Sequence, residues 1–236
     1  MKELDKEKIQ KFYEATDCVW PADDAWHDIN QAEISKFISS IQIAPNVVIL
    51  NAGSGGNHYG LKQKMYHLDV AKNKIEHFPH FFVGTVEDMP FESQMFDLVI
   101  CVGSVLNYCD PTLVIKEIAR VLRPNGCFLL EYETSYGLEY LGSPVFKKSA
   151  ALGKTSYFGR PHELWLFSQG YIQNLLKSYG LETIHRHNFH ILSGLAYHFS
   201  KNENGAAKFA FWDGILRHIP LFRKYSSNQI LYCRKI

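Results

Sequence analysis

Hydrophobic and polar positions follow two different periods along this chain. From residue 47 onward, short and mostly apolar runs recur, and such runs predict buried strands; they are VVIL, KMYHLDV, HFFVG, FDLVICVG and GCFLLEYE. The segment TLVIKEIARVL has a helical period and separates the last two runs, before a stop at RPNG. Apolar strands that alternate with helices predict a parallel sheet covered on both faces.

The segments on either side of this region have patterns of their own. INQAEISKFISSIQ predicts a helix before the sheet, whereas VWPADDAWHD contains Pro21 and predicts an ordered loop. Near the other end, SQGYIQNLLKSYG predicts a helix closed by Gly180, and LETIHRHNF and NQILYCRKI predict two strands with residues 190–225 inserted between them. Residues 134–167 show no clear period, so we expect loop with some helix there.

Composition narrows the class of protein. The 236 residues include 25 Lys and Arg against 24 Asp and Glu, and this balance gives no positive field to gather nucleic acid. The amino-terminal segment is charged from its second residue and does not resemble a secretory signal, and no apolar run reaches bilayer-spanning length. The five cysteines are irregularly spaced without a CxxC pair, which argues against a disulfide framework and a zinc site. We therefore expect a cytoplasmic protein that binds no nucleic acid and no metal.

A glycine-rich turn follows the first apolar run. Gly53, Ser54 and Gly55 allow a sharp turn and let a ligand approach the main chain without meeting a Cβ atom. His58 occupies the third glycine position of the dinucleotide fingerprint, so an NAD or FAD site loses support. Asp69 ends the next apolar run, where a carboxylate can accept ribose hydroxyls. A plain strand-to-helix connection and a helix cap are the structural alternatives for the turn and for Asp69.

These pieces occur in a specific order over residues 45–135. VVILNAGSGG, Asp69, GTVEDMPFESQMFDLVICVGSV and VLRPNGCFLLE together resemble the class I S-adenosylmethionine-dependent methyltransferases, in particular the small-molecule, type 11-like group. The resemblance implies one α/β domain over residues 1–236, with a doubly wound, seven-stranded Rossmann-like sheet whose last strand is antiparallel. It also implies S-adenosyl-L-methionine as cofactor, with a predicted binding set of Asn51, Gly53, Ser54, Gly55, Asp69, Thr85, Val86, Glu87, Gly103 and Trp20.

By the same resemblance, each part of the cofactor has its own residues. Gly53 and Gly55 would pass beneath the methionine portion, Asp69 would hold the ribose, and residues 85–87 would border the adenine. Two positions depart from the family pattern, since Asn51 replaces the acid that opens the glycine motif and Thr85 stands where an acid is frequent. The interval to Asp69 is also short, leaving little more than NHYGLK for a helix. A non-catalytic binding protein with the same fold therefore stays open.

Catalytic candidates should lie near the carboxyl ends of the parallel strands. His190 is the first candidate for a general base and His162 the second, while Tyr108 is either a wall of the pocket or a contact to the acceptor. Asp110 precedes a proline and is better explained as a helix cap. His185 and His187 alternate along a predicted strand, where a polar strand edge is a better explanation than a metal site.

Two segments rich in large apolar side chains remain outside the sheet. We expect residues 1–44 to form a helical lid and residues 190–225 a substrate cap, with residues 18–28 and 205–225 closing over the acceptor. Residues 205–225 could instead pack on the sheet edge, or contact a membrane as peripheral aromatics flanked by Lys208, Arg217, Arg223 and Lys224. The predicted function is methyl transfer to a small or lipid-like acceptor, and the alternatives are a non-catalytic binding protein and a methyltransferase acting on protein or RNA.

Overall fold

The computed structural model describes residues 4–21, 24–158 and 160–236. The strands, in chain order, are β1 Ile49–Ala52, β2 Met65–Asp69, β3 Phe81–Val83, β4 Phe96–Cys101, β5 Leu122–Glu133, β6 Ala150–Tyr157, β7 Arg160–Phe167, β8 Leu181–Phe189 and β9 Asn228–Lys235. The helices are α1 Lys6–Glu14, α2 Ala25–Ser40, α3 Lys72–Ile75, α4 Pro111–Val121, α5 Gln169–Ser178, α6 Leu192–Ser200, α7 Glu203–Ala207, α8 Ala210–Leu216 and α9 Pro220–Arg223. Two short 3-10 turns span Val105–Tyr108 and Leu138–Tyr140.

Seven strands form one sheet in the order β3-β2-β1-β4-β5-β9-β8. The first five strands in that order are parallel to one another, whereas β9 is antiparallel to both of its neighbours, β5 and β8. The predicted seven-stranded, mostly parallel sheet with an antiparallel last strand is therefore confirmed. The strand order reverses direction at β1 and β4, and in open parallel sheets ligands bind beyond the carboxyl ends of the strands at such a point.

Both faces of the sheet are covered at its centre, which explains why the central strands β1 and β4 are mostly apolar and buried rather than alternating. One face packs Leu50, Phe128 and side chains of α4 and α5 into a core, and the other packs Ile100 and Ile230 against α2. Helix α4 begins as its sequence predicts, because Asp110 caps it by accepting a hydrogen bond from the Thr112 amide at 2.8 Å.

Three local predictions are wrong. Residues 150–157 and 160–167 do not form loop and helix but two antiparallel strands, β6 and β7, which we call the hairpin and which a bridge between Thr134 and Phe167 joins to the end of β5. Residues 57–62 form turns rather than a shortened helix after the glycine turn. Helix α2 begins at Ala25, inside the segment predicted as loop, because the Asp24 carboxylate caps it through the amides of Trp26 and His27. Ala22 and Asp23 of that segment lie outside the described residues.

Candidate functional site

The conformation of the glycine turn after β1 is fixed by close contacts at its glycines and by a hydrogen bond from Asn51. Gly53 has φ 74°, and a Cβ at this position would lie 2.5 Å from the Val105 side chain. Gly55 has φ 53°, and a Cβ there would lie 3.0 Å from Val19. Asn51 donates a hydrogen bond from Nδ2 to the Asn57 carbonyl at 2.7 Å, which ties the loop back to the strand end. Only glycine fits this backbone, so the turn keeps a bare main chain toward its open side.

Asp69 ends β2 opposite this turn. Its carboxylate accepts hydrogen bonds from the Gly55 amide at 2.7 Å and from the Ala71 amide at 2.9 Å. Burial raises the pKa of Asp69, while these backbone hydrogen bonds oppose the rise. Asp69 therefore fixes the position of the turn and at the same time faces the space beside it.

A cavity opens at this edge of the sheet, and we call it the first cavity. The structure brings to its wall most of the predicted cofactor residues, namely Trp20, Gly53, Ser54, Gly55, Asp69, Thr85, Val86, Glu87 and Gly103, together with Tyr108. Asn51 does not line this cavity and acts on the turn from behind. The roles of these residues in binding a cofactor stay predictions. Nevertheless, residues that the sequence motifs assigned to one site do lie next to one another in the structure.

Helix α1 and the segment that follows it cover the first cavity. Ile9 and Tyr13 of α1 line the wall, and the Lys6 ammonium group contacts the Glu87 carboxylate. Val19 is held by the hairpin, because the Tyr157 hydroxyl donates a hydrogen bond to its carbonyl oxygen. We call residues 15–21 the strap. The strap and the hairpin thus close over the same space.

Trp20 carries the clearest unsatisfied group at this wall. Its indole Nε1 is buried and has no hydrogen-bond partner among the described residues. Leaving a buried donor unpaired is costly, and such groups point to a ligand or water that completes them. The ring also covers Gly103, where a Cβ would lie 3.7 Å from it.

A second cavity adjoins the first. The two share Tyr13, Trp20, Gly103, Tyr108 and Tyr157, so these residues stand between them. The remainder of the second cavity is lined by Trp26, His27, Asn30, Ser104, Glu133, Glu139, Tyr140, Thr155, Leu164, Tyr197, Glu203 and Asn228.

The Glu133 carboxylate lines the second cavity and interacts electrostatically with Tyr13, Tyr108 and Tyr157 of the shared wall. It accepts a hydrogen bond from the Ser104 hydroxyl at 3.0 Å, and Ser104 adjoins the shared Gly103. Burial and the nearby Glu131 carboxylate raise the pKa of Glu133 to about 7, against hydrogen bonds from Ser104 and Tyr140 that lower it. A carboxyl group with a pKa near neutrality can exchange a proton under physiological conditions.

Asn107 holds the end of β5 that carries Glu133. Its Nδ2 donates to the Glu133 carbonyl at 3.0 Å and to the Trp165 carbonyl at 2.5 Å, and its Oδ1 accepts from the Glu133 amide at 2.9 Å. The residue is fully buried. It therefore positions Glu133 and the hairpin relative to the 3-10 turn after β4.

His190 is not at either cavity. It is fully buried, its ring stacks on Trp26 with centroids 3.6 Å apart, and its two ring nitrogens hydrogen-bond with Ser193 and Asn30 at 2.8 Å. Burial, together with the nearby His27, lowers the pKa of His190 to about 3. Because both nitrogens are hydrogen-bonded and neither of the two cavities is lined by His190, the geometry argues against the general-base role predicted for it.

The other predicted elements are divided between the site and the surface. Tyr197 and Glu203 of the 190–225 segment line the second cavity, but residues 205–225 line neither cavity, so the predicted closure by that stretch is not what the structure shows. His162 of β7 lies with its ring 5.2 Å from that of Tyr108 but outside both walls. In the described part of the chain, no group of three or more His, Cys, Asp and Glu side chains could hold a metal ion.

Several wall residues were missed from the sequence. Tyr157 comes from the hairpin that had no clear period, and Glu139 and Tyr197 come from segments without a motif. Glu133 was expected at the carboxyl end of this strand, and Glu131 lies behind the wall on the same side of the strand, since residues two apart on a strand point to the same side. Glu131 is fully buried and accepts hydrogen bonds from the amides of Gly103 and Ser104 at 2.9 and 2.8 Å, so it shapes the shared wall.

Comparison with known proteins gives one family model and several relatives. A model described as a methyltransferase domain matches residues 46–130. A glycine/sarcosine/dimethylglycine N-methyltransferase of Actinopolyspora halophila is 25% identical over 118 residues, which cover 42% of this chain and 21% of the relative. A demethylmenaquinone methyltransferase of Staphylococcus haemolyticus is 34% identical over 98 residues, covering 41% of this chain and 39% of the relative. The matched segments thus span less than half of these relatives' length.

A solved structure covers nearly the whole chain. The geranyl diphosphate C-methyltransferase of Streptomyces coelicolor, in complex with Mg²⁺, geranyl-S-thiolodiphosphate and S-adenosyl-L-homocysteine, superposes with a TM-score of 0.61 at 14% identity. The superposition covers 98% of each chain. At this identity the likeness is one of fold, and it extends beyond residues 46–130 to the strap, the hairpin and the last two strands.

Proposed function

We propose that the chain is a class I S-adenosylmethionine-dependent methyltransferase and that it transfers the methyl group of S-adenosyl-L-methionine to a small or lipid-like acceptor. The observation that carries this proposal is the first cavity, where the glycine turn, Asp69 and residues 85–87 meet at the carboxyl edge of the sheet. The relatives that act on amino acids and on a quinone, and the structural neighbour that holds an isoprenoid, support an acceptor of this size.

The residues of the first cavity fit the cofactor. When bound, S-adenosyl-L-methionine supplies a methyl group activated by a sulfonium. Gly53 and Gly55 leave main chain without side chains for the methionine portion, and Asp69 offers a carboxylate to the ribose hydroxyls. Thr85, Val86 and Glu87 line the part of the wall predicted for the adenine. The unpaired Trp20 Nε1 can donate a hydrogen bond to a ligand atom. The indole ring of Trp20 can contact the sulfonium cation.

The chain's own contribution to catalysis is alignment and exclusion of water. Methyl transfer needs the acceptor atom on the line of the breaking sulfur–carbon bond. Holding the two reactants in that geometry accounts for much of the rate acceleration that an enzyme provides. The shared wall of the two cavities provides the place where acceptor and methyl group can meet, with Tyr108 as a contact. The strap and α1 cover that place and limit access of water.

A second part of the proposal concerns the surface of the 190–225 segment. Helices α6–α9 expose Phe199, Phe211, Trp212 and Leu221 by 76%, 75%, 52% and 60%. The basic residues Lys201, Lys208 and Lys224 are exposed on the same helices or next to them. We name these seven residues the aromatic face. Aromatic side chains flanked by cations favour the interface of a membrane that contains anionic lipid, where a lipid-like acceptor would reside. None of the described helices is both long and apolar enough to cross a bilayer.

Calorimetry with S-adenosyl-L-methionine and S-adenosyl-L-homocysteine tests the proposed function. We expect heat from both compounds and an increase in melting temperature. The Asp69→Asn variant should bind S-adenosyl-L-homocysteine about 10–100-fold more weakly, because a hydrogen bond to a charged group is lost. Glu182→Gln, an exposed acid on β8, is the control and should bind as the wild type does.

Two results would contradict the proposal. Absence of heat and of a thermal shift with both compounds would remove the cofactor. If the protein binds the cofactor but forms no demethylated product with any acceptor tested, a non-catalytic binding protein would be favoured. Incorporation of labelled methyl groups only into protein or RNA would favour a methyltransferase that acts on those macromolecules.

A further inference from the structure

The second cavity is lined by acidic side chains but not by lysine or arginine among the described residues. Glu133, Glu139 and Glu203 face it, and none of the described residues in its wall is Lys or Arg. His27 also lies in the wall, but its Nδ1 is held by the Asp24 carboxylate at 2.6 Å. Several carboxylates in one small cavity repel each other unless a cation or protons neutralise them.

Rings form much of the remaining wall. Trp20 and Trp26 stand with five tyrosines, Tyr13, Tyr108, Tyr140, Tyr157 and Tyr197, around the same cavity. The Trp26 ring lies 5.5 Å from that of Tyr197 at an interplanar angle of 46°. Faces of Trp and Tyr attract organic cations, and the attraction strengthens when water is excluded. The acidic side chains and the faces of the aromatic rings therefore both favour a positively charged ligand.

The carboxylates are held in place before any ligand arrives. Glu133 is fixed by Ser104 and through its backbone by Asn107, and Glu139 accepts a hydrogen bond from the Ser227 hydroxyl. Burial raises the pKa of Glu139 to about 8, close to the pKa of about 7 that burial and Glu131 give Glu133. Both groups therefore carry a proton or a negative charge within the physiological range, depending on what they face.

We propose that the second cavity binds the methyl acceptor as an organic ammonium ion, and that the Glu133 carboxylate contacts the nitrogen to be methylated. This inference rests on the proposed function and names its acceptor class. The ammonium gives one proton to the Glu133 carboxylate, which becomes a neutral carboxylic acid and leaves a neutral amine. The amine nitrogen then forms a bond to the methyl carbon, the sulfur–carbon bond breaks and its electron pair stays on sulfur. The products are the methylated ammonium and neutral S-adenosyl-L-homocysteine, and Glu133 later releases its proton to water.

The ionisation of Glu133 depends on the groups around it. Those that face it are Glu131 on β5, Tyr13 on α1, Tyr108 and Tyr140 in the two 3-10 turns, Glu139 beside Tyr140, and Tyr157 on β6. None of them is a cation, so a bound ammonium is the partner that favours the carboxylate. Affinity for a cation that cannot lose a proton should therefore increase as the pH rises through about 7.

A binding experiment tests the cavity without the cofactor. Tetramethylammonium chloride is titrated into the protein by calorimetry at constant ionic strength, and tert-butyl alcohol serves as its neutral isostere. We expect the cation to bind at least about tenfold more tightly than the alcohol, and more tightly at about pH 8.5 than at about pH 6. Equal binding of the two compounds would overturn the proposal.

Variants assign this binding to Glu133. Glu133→Gln should weaken tetramethylammonium about tenfold, as for loss of a charged partner, while Glu92→Gln, an exposed acid, should stay within about twofold of the wild type. Affinity for S-adenosyl-L-homocysteine should stay unchanged in both variants, which shows that they are folded. Wild-type affinity for the cation in Glu133→Gln would overturn the role of this residue.

Transfer assays identify the acceptor class directly. With methyl-labelled cofactor, label should enter small amines, and Glu133→Gln should lower turnover about tenfold and remove the part of its pH dependence centred near pH 7. Label that enters only phenols, alcohols or isoprenoids would overturn the inference while keeping the proposed function. Binding of tetramethylammonium without any binding of S-adenosyl-L-homocysteine would support the cation site and contradict the proposed function instead.

Discussion

At the scale of single residues, two acids of β5 show how environment separates identical groups. Glu131 accepts three hydrogen bonds, from the amides of Gly103 and Ser104 and from Asn228 Nδ2 at 2.8 Å, and it is fully buried. Glu133 has fewer donors and faces the second cavity. The first acid therefore shapes a turn, whereas the second has an ionisation that a ligand can change.

Glu133→Gln should change the pH dependence of stability. Burial and Glu131 raise the pKa of Glu133 from 4.5 to about 7, so between these values the folded state holds a proton that the unfolded state has lost. Stability of the wild type therefore falls as the pH rises through this window. The variant has no such group and should be more stable than the wild type above pH 7, by about 3 kcal/mol at most.

Urea unfolding of the unliganded protein at about pH 4.5 and about pH 8 measures this difference. Glu92→Gln is the control, because its exposed carboxyl group should leave the difference between the two pH values as in the wild type. An advantage of Glu133→Gln that is the same at both pH values would show that shape or packing, and not ionisation, explains it.

At the scale of elements, one ion cluster joins three pieces of secondary structure. Glu33 of α2 contacts His187 of β8, and it accepts a hydrogen bond at 2.8 Å from Arg217, which follows α8. Burial alone would raise the pKa of Glu33, but the hydrogen bonds from His187 and Arg217 lower it to about 2. The cluster therefore anchors the 190–225 segment to the helix that covers the sheet.

Glu33→Gln should destabilise this anchor. The depressed pKa means that the carboxylate stabilises the fold above pH 4.5, and that this contribution is lost as the pH falls from 4.5 toward 2. We expect the free energy of unfolding at pH 7 to fall by about 2 kcal/mol, and the variant to lack the wild type's loss of stability in that acidic window. Denaturant unfolding across this range checks both, with Glu182→Gln as the control on β8. A variant as stable as the wild type at pH 7 would contradict the role of the cluster.

The aromatic face on α6–α9 has a testable consequence of its own. Phe211→Ser and Trp212→Ser should lower binding to vesicles that contain anionic phospholipid, since each variant removes apolar surface and leaves the cations in place. Flotation of the protein with such vesicles measures this, and we expect about a tenfold loss of bound protein for the double variant.

Phe81→Ser is the matched control, because Phe81 is an exposed aromatic residue of β3, away from these helices. Wild-type binding in Phe81→Ser together with a loss in the double variant would assign binding to the aromatic face. Equal binding of all variants, or no binding of the wild type, would contradict the membrane contact.

At the scale of the whole molecule, the strap, α1 and the hairpin close two cavities at once. The strap reaches the hairpin through Tyr157 and Val19, and it reaches α3 through Lys74, which donates a hydrogen bond to the Thr16 carbonyl. Binding in the first cavity should therefore order residues 4–21 as a unit. Hydrogen exchange of peptides from this region should slow when S-adenosyl-L-homocysteine binds. Peptides from α5, on the far side of the sheet, should not change, and unchanged exchange in residues 4–21 would contradict closure over the cofactor.

The sequence predicted the sheet well because its information is local and periodic. The apolar runs, the capped helix α4 and the glycine turn each have a signature within a few residues, and Gly53, Asp69 and Glu87 meet in the structure as the family resemblance implied. The second cavity could not be predicted in this way. Its wall combines Tyr13, Glu139 and Tyr197 from three distant segments, and no spacing along the chain relates them. The buried contacts of His190 could not be predicted either, because a histidine at a strand end looks the same in the sequence whether it faces a cavity or a tryptophan.

The position of β9 has a consequence for the making of this protein. Strand β9 lies between β5 and β8, yet the ribosome synthesises it after both of them. Until residues 228–235 have emerged, the nascent chain holds two strand edges with unpaired backbone groups, and such edges invite pairing with other chains. Strand β9 thus decides when these two edges are covered, and a pause in translation before residues 228–235 emerge would prolong the aggregation-prone state.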